Sequence, residues 1–356
     1  MSNSKSKITP AQLGYRMPAE WEPQEAVWLS WPYNLKFWGD ETELFKIENI
    51  YAQWVQILAE GQKIRILVPN RKVLKKAQGL LQDNRADSNV SFYPISASEI
   101  YIRDYGPTFV VKGKQKAMVS WTFNAWGNKY EDSLADDLVP EKMNEYLHLP
   151  IFSPGIVLEG GSIDVNGLGT VMVTEQCLLN KNRNPNLGRR ELEDYLRYYL
   201  GVSKVLWLGE GLKGDDTDGH IDDLARFVNP TTVLCAYEED HNNINYPMLR
   251  ENYERLLRMT DQSGKKLDVV KLPMAGVVQT EEHFWTGEQY KPASYANFYI
   301  GNSAVVVPIF GHENDELALK RIKQFFPERK VIGIDCMRMV YDGGTLHCAS
   351  QQEPRV

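Results

Sequence analysis

A helix followed closely by a strand recurs five times along this 356-residue chain, and that recurrence is the strongest constraint on its fold. In the first copy, apolar residues such as Leu44 and Ile47 fall at helical spacing over 42–60, and Gly61 follows as a C-cap. Residues 63–68 then alternate between polar and apolar side chains, which predicts a strand. Close alternation of helices and strands is typical of the α/β class.

Four more helix–strand pairs follow the first. They are predicted at 134–147 with 150–152, 189–200 with 204–208, 247–259 with 266–270, and 315–326 with 330–334. Further strands are predicted at 108–111, 170–174, 231–236 and 304–307. Five such units predict an internally repeated α/β domain, although ordinary α/β proteins also alternate helices with strands. Because no linker or low-complexity segment interrupts the chain, we expect one continuous domain over 1–356.

The composition excludes several classes of protein. The net charge is −7 and no long Lys/Arg cluster occurs, so we expect no nucleic-acid partner. No window reaches the length of a membrane span, and no apolar stretch follows the positively charged N-terminus, so a cytoplasmic protein without a membrane partner is expected. The four cysteines lie far apart without zinc-site spacing, which argues against a disulfide framework and against a structural metal.

Several polar residues come after the predicted strands, where α/β proteins gather catalytic groups. Glu159 follows the second repeated strand, His220 and Asp222 follow the third, and Cys348 follows the fifth. Asp104 lies further beyond the first. Loops at one end of a set of parallel strands lie close together, so we expect these five residues to converge in space.

Cys348 is the candidate nucleophile. Most lone cysteines are small buried hydrophobic residues, and that interpretation holds for Cys177, Cys235 and Cys336. Cys348 differs because a Gly-Gly turn precedes it and polar residues follow it. A reactive cysteine needs surroundings that favour the thiolate, such as a bound cation or a protonated histidine.

His220 is the candidate proton carrier. Residues i and i+2 of an extended segment face the same side, so His220 and Asp222 can reach one site. The alternative is a solvated turn over 214–219, and calcium does not fit because the acidic spacing differs from that of a calcium loop. His347 is adjacent to Cys348, but neighbours on an extended strand point to opposite faces, so we do not expect His347 to be the base.

Asp104 and Glu159 complete the set. Asp104 could cap a turn or point its carboxylate at a ligand. Glu159 lies in an apolar context and needs a partner, for which His220 is suitable. Together the chain offers one thiol, one imidazole and three carboxylates. Paired carboxylates can bind a planar guanidinium through bidentate hydrogen bonds, and the thiolate of Cys348 can then attack its central carbon.

Eight stretches, distributed in order over nearly the whole chain, carry a family resemblance. They are MPAEWEP at 17–23, RDYGP at 103–107, FNAWG at 123–127, LEGGS at 158–162, CLLNKNRNP at 177–185, GHID at 219–222, YANFYI at 295–300 and HC at 347–348. They resemble the agmatine deiminase and bacterial-type peptidylarginine deiminase family, within the guanidino-modifying proteins of the pentein fold.

The resemblance implies a fold and a set of roles. The fold would be a five-fold pseudosymmetric α/β propeller built from repeated ββαβ-type units. Cys348 would be the nucleophile and His220 the general acid and base, oriented by Glu159, while Asp104 and Asp222 would bind the guanidinium. The reaction would pass through a thiouronium intermediate on Cys348 and release ammonia. No cofactor or metal would be needed.

The resemblance also implies a substrate class. We expect agmatine, giving N-carbamoylputrescine for putrescine biosynthesis, with Tyr101 lining the alkyl chain and Trp126 closing over it. Agmatine-using relatives usually have Trp where this chain has Tyr101, Thr or Cys at Tyr105, and His at Asp164, so peptidyl or free arginine, giving citrulline, is the alternative. An amidinotransferase and a non-catalytic binding protein are further alternatives. A symmetric homodimer is expected from the frequency of such assemblies.

Overall fold

The computed structural model describes residues 8–81, 88–280 and 289–356, so residues 1–7, which bear on the cytoplasmic prediction, lie outside the described residues. The α-helices of the described part are α1 (Leu35–Trp38), α2 (Glu41–Ala59), α3 (Arg71–Leu81), α4 (Ile102–Tyr105), α5 (Ala125–Asn128), α6 (Val139–Leu147), α7 (Glu175–Leu178), α8 (Arg189–Leu200), α9 (Tyr246–Arg258), α10 (Asp315–Lys323) and α11 (Met337–Val340). Short 3₁₀ helices occur at Ala11–Leu13, Glu131–Leu138, Gly160–Ser162 and Ile221–Asp223.

The strands are short and are distributed along the whole chain. They are β1 (Gln24–Ser30), β2 (Lys63–Leu67), β3 (Val90–Tyr93), β4 (Thr108–Lys112), β5 (Gln115–Val119), β6 (Ile151–Phe152), β7 (Asp164–Val165), β8 (Thr170–Thr174), β9 (Lys204–Leu208), β10 (Ala225–Phe227), β11 (Thr232–Ala236), β12 (Asp268–Leu272), β13 (Val278–Gln279), β14 (Tyr290–Lys291), β15 (Tyr299–Ile300), β16 (Ala304–Ile309), β17 (Lys330–Asp335) and β18 (Ser350–Pro354).

Five sheets share one strand order. Four of them are β4-β5-β6, β7-β8-β9, β10-β11-β12 and β15-β16-β17, and the fifth is β18-β1-β2-β3. In each sheet the first two strands pair antiparallel, and the next strand pairs parallel after a helical connection. Parallel neighbours require such a crossover, and helices supply it. The fold is therefore mixed α/β, and no closed sheet occurs among the residues described.

The predicted helix–strand pairs agree with the structure to within a few residues, with one exception. Helix α8 and strand β9 have the predicted bounds, and α2, α9 and α10 lie within the predicted segments or one residue away from them. The helix predicted over 134–147 is wrong in its first part, because Glu131–Leu138 is a 3₁₀ helix and α6 begins at Val139. Pro140 stands in the first turn of α6, where its missing N–H is tolerated. If an α-helix continued through Pro140, the proline ring would clash with the backbone carbonyl of the preceding turn.

Helix α2 shows how local sequence determines these elements. The side chain of Asp40 accepts hydrogen bonds from the backbone N–H groups of Thr42 and Glu43, which caps the helix. Its buried face, which includes Trp54, joins the largest apolar cluster of the protein. That cluster also contains Cys348, so the candidate nucleophile lies at the wall of the main core.

The chain after Cys348 is an integral strand. β18 pairs antiparallel with β1, with Leu29 opposite Ser350 and Trp28 opposite Gln351. Glu353 in β18 is buried, and its carboxylate accepts from Trp28 Nε1 at 2.9 Å and from Lys116 Nζ at 2.5 Å. These contacts hold the segment that follows the candidate nucleophile. In the described part of the chain, no helix combines the length and apolar character that a membrane span requires.

We predict that Glu353→Ala lowers the free energy of unfolding by about 3–5 kcal/mol, because it removes the buried carboxylate that pairs with Lys116 and Arg65 and leaves Lys116 only a more distant carboxylate, Glu25 at 3.7 Å. Chemical denaturation monitored by tryptophan fluorescence measures this change. The control is Glu60→Ala, which removes an ion pair with Lys330 whose side chains are 57% and 62% exposed; it should change stability by only about 0–1 kcal/mol. Equal effects of the two substitutions would contradict the prediction.

Candidate active site

Cys348 lies in a tight turn between α11 and β18. Its Sγ atom is 3.0 Å from Nδ2 of Asn297 and 3.5 Å from Oδ2 of Asp222. Its carbonyl oxygen accepts from the backbone N–H of Arg103, which connects the turn to α4. Burial, together with Asp222, Asp223 and other carboxylates, raises the pKa of the Cys348 thiol well above its ordinary value. The thiol therefore needs a cation nearby before it ionises readily.

His347 binds the carboxylate that faces the thiol. Its Nδ1 atom is 2.7 Å from Oδ2 of Asp222, and its Nε2 atom is 2.8 Å from Oε2 of Glu20. The expectation that His347 and Cys348 point to opposite faces of a strand was wrong, because 346–349 form a turn. In a turn, side chains of adjacent residues can converge, and both approach Asp222. His347 thereby holds Asp222 in place.

Glu20 organises a buried cluster of ions behind His347. Its carboxylate lies 3.1 Å from Arg226 Nη2 and 3.3 Å from Arg103 Nη2. Burial opposes the ionisation of Glu20, but Arg226, His347 and Arg103 outweigh it and hold its pKa below the ordinary value. Arg226 also pairs with Asp164, with its Nε atom 2.6 Å from Oδ2.

His220 reaches the site from the start of a 3₁₀ turn. The expected extended segment over 220–222 is absent, because Ile221–Asp223 is a 3₁₀ helix and His220 is its N-cap. The imidazole is fully buried, with Nδ1 3.7 Å from Oδ1 of Asp104. Apart from a contact with the Cys177 thiol, neither ring nitrogen has a hydrogen-bond partner among the residues that the structure describes. Burial disfavours the imidazolium, but Asp104 and other acidic groups outweigh burial and raise the pKa of His220 well above its usual value.

Glu159 has a different main partner from the one expected. Its Oε1 atom is 2.5 Å from Nε of Arg183, whereas the ring nitrogens of His220 make no hydrogen bond to it. The Glu159 carboxylate still lies within 4.8 Å of His220 and of Cys177. Arg183 also binds Asp218 at 2.7 Å. Glu159 can therefore act on His220 through its charge, while Arg183 fixes its position.

Asp104 faces the cavity with its pKa raised to about 6. Burial is the main cause, and Asp222 adds to it, whereas His220 opposes it. The carboxylate accepts from Trp126 Nε1 and from the backbone N–H of Gly161, each at 2.9 Å. Trp126 has a φ of 53°, a left-handed conformation that costs on the order of 1–3 kcal/mol for a bulky residue. The local backbone is thus strained where it positions this indole on Asp104.

A narrow cavity opens beside Cys348. It is lined by Tyr101, Asp104, Trp126, Tyr130, Asp216, Thr217, Asp342, Gly344 and Cys348. Three of these residues are aromatic and three are carboxylates, and within 8–81, 88–280 and 289–356 no Lys or Arg lines the cavity. Burial is the main cause that raises the pKa of Asp216 to about 6 and that of Asp342 to about 7. Such a lining suits a small cation with an apolar middle.

Among the residues that the structure describes, two groups of side chains have donor atoms close enough to hold a metal ion. They are Glu159 with Cys177 and His220, and Asp222 with Asp223 and Cys348. In both groups a carboxylate is already bound by the protein, Glu159 by Arg183 and Asp222 by His347. The donor sets therefore give no specific support for a resident metal.

This combination of fold and site can be compared with known proteins. The model of the Porphyromonas-type peptidyl-arginine deiminase family matches residues 16–354. The chain belongs to this family. It is 37% identical to an agmatine deiminase of Medicago truncatula, with 98% of each chain covered. It also resembles the structure of an agmatine deiminase of Enterococcus faecalis catalysing its reaction, at 37% identity and a TM-score of 0.89 over 98% of both chains. A C. jejuni agmatine deiminase with substrate bound matches at 32% identity and a TM-score of 0.85, over 95% of this chain and 96% of that one.

In this member of the family, the predicted site residues lie together. Cys348, Asp104, Tyr101 and Trp126 line the cavity. Asp222 lies 3.5 Å from the Cys348 sulfur, His220 lies 3.7 Å from Asp104, and Glu159 lies within 4.8 Å of His220. Sequence reasoning missed the contributions of His347, Glu20, Asn297 and Arg183. All four lie in stretches that carry the family resemblance, which was the available signal. Their partners are distant along the chain, so no local pattern indicated what each one contacts.

We predict that Gly161→Ala lowers kcat/KM by about a hundredfold, because small displacements of catalytic groups have effects of this order. A Cβ atom at Gly161 would lie 2.6 Å from Nδ1 of His220 and 2.9 Å from Oδ1 of Asp104, so these groups must move apart. The control is Gly79→Ala in α3, where the added methyl group meets nothing within 4 Å. Gly79→Ala should keep kcat/KM and stabilise the helix by about 0.5–1 kcal/mol. A Gly161→Ala enzyme with wild-type kcat/KM would show that the two groups need not be adjacent.

Proposed function

We propose that this protein is a guanidino-group hydrolase that converts agmatine and water into N-carbamoylputrescine and ammonia. The observation that carries the proposal is the cavity beside Cys348, which combines a buried thiol with three carboxylates and aromatic walls. A guanidinium is planar and cationic, and carboxylates bind it through charge-assisted hydrogen bonds. The relatives named agmatine deiminase support the same substrate.

The first half of the reaction forms a covalent bond to sulfur. Asp104 and Asp222 bind the guanidinium, and its charge offsets the carboxylates that disfavour the Cys348 thiolate, so the thiol releases its proton to solvent when the substrate binds. The thiolate attacks the central guanidinium carbon and forms a tetrahedral adduct. His220, whose imidazolium form is favoured by Asp104 and other acidic groups that raise its pKa, donates a proton to the departing nitrogen. Ammonia leaves, and the S-alkylthiouronium remains on Cys348.

The second half releases the product. Neutral His220 now takes a proton from water, and the resulting hydroxide attacks the thiouronium carbon. The carbon–sulfur bond breaks, the thiolate departs, and the hydroxyl group loses its proton to solvent, so the carbon retains the new oxygen as a ureido carbonyl. His220 is again protonated at the end of the cycle. Glu159 stabilises its imidazolium, and Arg183 holds Glu159 within reach.

The carboxylates that line the cavity favour agmatine over arginine. Asp216 and Asp342 line the same cavity as Cys348, and both would meet the distal group of a substrate whose guanidinium lies at the thiol. Agmatine ends in an ammonium, which these carboxylates attract. Free arginine also carries a carboxylate, which they repel. Peptidyl or free arginine, giving citrulline, is the second candidate, because the matching family model is named for peptidyl-arginine deiminase.

Transfer of the amidino group to an amine would use the same cysteine and histidine, and it differs from hydrolysis only in the acceptor.

We further propose that the five sheets of equal strand order form a five-fold pseudosymmetric α/β propeller of the pentein type, with the whole chain as one catalytic domain. The symmetric dimer and the cytoplasmic location stay predictions.

We predict that the purified protein releases ammonia and a ureido product from agmatine, and much less from free arginine or a blocked arginyl peptide. Parallel incubations with colorimetric ureido and ammonia assays measure this. Cys348→Ala should release neither product, because the nucleophile is absent. Turnover of the peptide or of free arginine alone would contradict the substrate but not the chemistry. Transfer of the amidino group to an added amine, without formation of a ureido product, would identify an amidinotransferase.

Asp216→Asn should raise KM for agmatine by about tenfold or more, because it removes one charged partner of the distal ammonium. The variant keeps an oxygen that can accept from the Tyr130 hydroxyl, so the local structure should persist. The matched control is n-butylguanidine, which lacks the ammonium. Its KM should hardly change in Asp216→Asn. An equal loss for both compounds would show that Asp216 does not bind the distal group.

Agmatine affinity should fall as the pH drops from about 7.5 to 5.5. The pKa values of Asp104 and Asp216 are raised to about 6 and that of Asp342 to about 7, so these carboxylates take up protons in this range. The cation binds the ionised carboxylates, so a protonated carboxyl group must lose its proton before agmatine binds. Below the pKa of that group, each such proton raises the Kd about tenfold per unit fall in pH. Calorimetry on Cys348→Ala measures binding without turnover. A pH-independent Kd would contradict this role of the carboxylates.

A further inference from the structure

Cys177 is a second thiol close to the active site, and the proposed mechanism does not use it. It lies in α7, is fully buried and packs in an apolar cluster, as a small hydrophobic residue does. Its Sγ atom also lies within 4.8 Å of a ring nitrogen of His220 and of a carboxylate oxygen of Glu159. The thiol contacts the imidazole, and both side chains are shielded from solvent. Because water does not reach the ring, its hydrogen bonding depends on such protein contacts.

The backbone holds Cys177 and His220 close together independently of their side chains. Thr174, the N-cap of α7, accepts a hydrogen bond at its hydroxyl oxygen from the backbone N–H of Cys177 at 3.2 Å. The same hydroxyl donates to the carbonyl oxygen of Gly219, the residue before His220, at 2.6 Å. One hydroxyl group therefore joins the first turn of α7 to the segment that carries the imidazole. The contact between the thiol and the ring follows from this fixed arrangement.

Four acidic side chains lie close to His220 and interact with its charge. They are Asp104, Glu159, Asp222 and Asp223. An ionised carboxylate can accept a hydrogen bond but cannot donate one. These groups suit the imidazolium, which has two N–H donors. They cannot serve the bare nitrogen of the neutral ring, which needs a donor.

The Cys177 side chain can serve both forms of the ring, because it remains a thiol. Burial and the charge of Glu159 raise the pKa of Cys177 above its ordinary value, although the contact with His220 opposes this shift. A thiol accepts weakly at sulfur, so it can receive an N–H from the imidazolium. After rotation of its S–H bond, it can donate to the bare nitrogen of the neutral ring. Both hydrogen bonds are weak, so neither protonation state of His220 is locked.

We propose that Cys177 is a positioning residue that keeps the imidazole of His220 in one orientation while the ring passes between its protonated and neutral forms. The proposal rests on the proposed function, in which His220 donates a proton to the departing nitrogen and then takes one from water. Both transfers take place on the side of the ring that faces the cavity, where Nδ1 lies 3.7 Å from Asp104. A ring that turned over between them would present the wrong atom. Cys177 acts through His220 and not on the substrate.

The first test compares kcat and KM for agmatine in Cys177→Ala and Cys177→Ser. Loss of the thiol in Cys177→Ala should lower kcat by about tenfold, a part of the roughly 100- to 10,000-fold that acid–base catalysis contributes, with less than about a twofold change in KM. Serine keeps a donor and an acceptor, so Cys177→Ser should lower kcat by less than about threefold. A purely structural cysteine predicts the reverse order, because alanine suits an apolar pocket better than serine does. The reverse order, or wild-type kcat in Cys177→Ala, would overturn the proposal.

Cys235→Ala is the matched control. Cys235 is also buried, in β11, and burial by itself raises the pKa of its thiol to about 12, without a contribution from a charged neighbour. Its sulfur contacts the backbone carbonyl oxygen of Ala236 at 3.5 Å. Cys235→Ala should therefore keep the wild-type kcat and KM. An equal loss of kcat in Cys235→Ala and Cys177→Ala would assign the effect to the loss of any buried thiol and would overturn the proposal.

Nuclear magnetic resonance of the resting protein, labelled with ¹⁵N-histidine, tests the proposal without turnover. Above the pKa of His220, a ring held by the thiol should be a single tautomer with two well-separated nitrogen signals, which His220→Gln identifies by their loss. In Cys177→Ala the two tautomers should interconvert and their signals should average. Averaged signals in the wild-type protein would overturn the proposal, and this measurement covers the case in which the variants do not fold. A single tautomer in Cys177→Ala would also overturn it.

The resonance measurement needs no substrate. If agmatine is not turned over but the wild-type ring is a single tautomer that is lost in Cys177→Ala, the proposed substrate fails and the role of Cys177 stands. If agmatine is turned over but the tautomers of His220 do not depend on Cys177, the role of Cys177 fails and the proposed function stands.

Discussion

The buried carboxylate of Glu20 is the interaction on which the active site depends. It accepts from the backbone N–H of Ile300, and it pairs with His347, Arg103 and Arg226. These partners come from four separate parts of the chain. His347 also contacts Asp222, which faces the nucleophile, so the position of Glu20 affects that of Asp222. A buried ion is costly unless its partners are in place, so the cluster forms only when all of these segments are assembled correctly. The geometry around Cys348 is therefore tied to completion of the fold.

Some carboxylates near the cavity are paired with arginines and others face the cavity, and the second group forms the binding site for a cation. Glu20, Glu159 and Asp164 lie behind the wall and are paired with arginines. Asp104 and Asp216 face the cavity, and burial raises the pKa of each to about 6. A raised pKa means that the surroundings of the carboxylate disfavour its negative charge. A cationic ligand stabilises that negative charge. The same ligand lowers the cost of forming the Cys348 thiolate, so binding and activation of the nucleophile are coupled.

Local patterns predicted much of the secondary structure, because side-chain periodicity and capping act over a few residues. Helix α8 and strand β9 were predicted at their observed bounds. The prediction over 134–147 failed at its start, since Pro140 prevents a continuous α-helix there. His347 was misjudged for a related reason. The segment was treated as an extended strand, whereas residues 346–349 form a turn, and the two adjacent side chains of His347 and Cys348 converge on Asp222.

The sequence by itself determined the class of fold, the helix–strand units and the residue types that the chemistry requires, because apolar periodicity and short motifs carry that information. It also indicated the family through eight ordered stretches. Only the tertiary structure decided which partner each catalytic group has. Glu159 meets Arg183 24 residues away, Cys348 meets Asn297 at a separation of 51, and Asp222 meets His347 at a separation of 125. No local propensity encodes such pairings, since they arise when buried charges and amides must be satisfied by whatever groups the packed strands bring together.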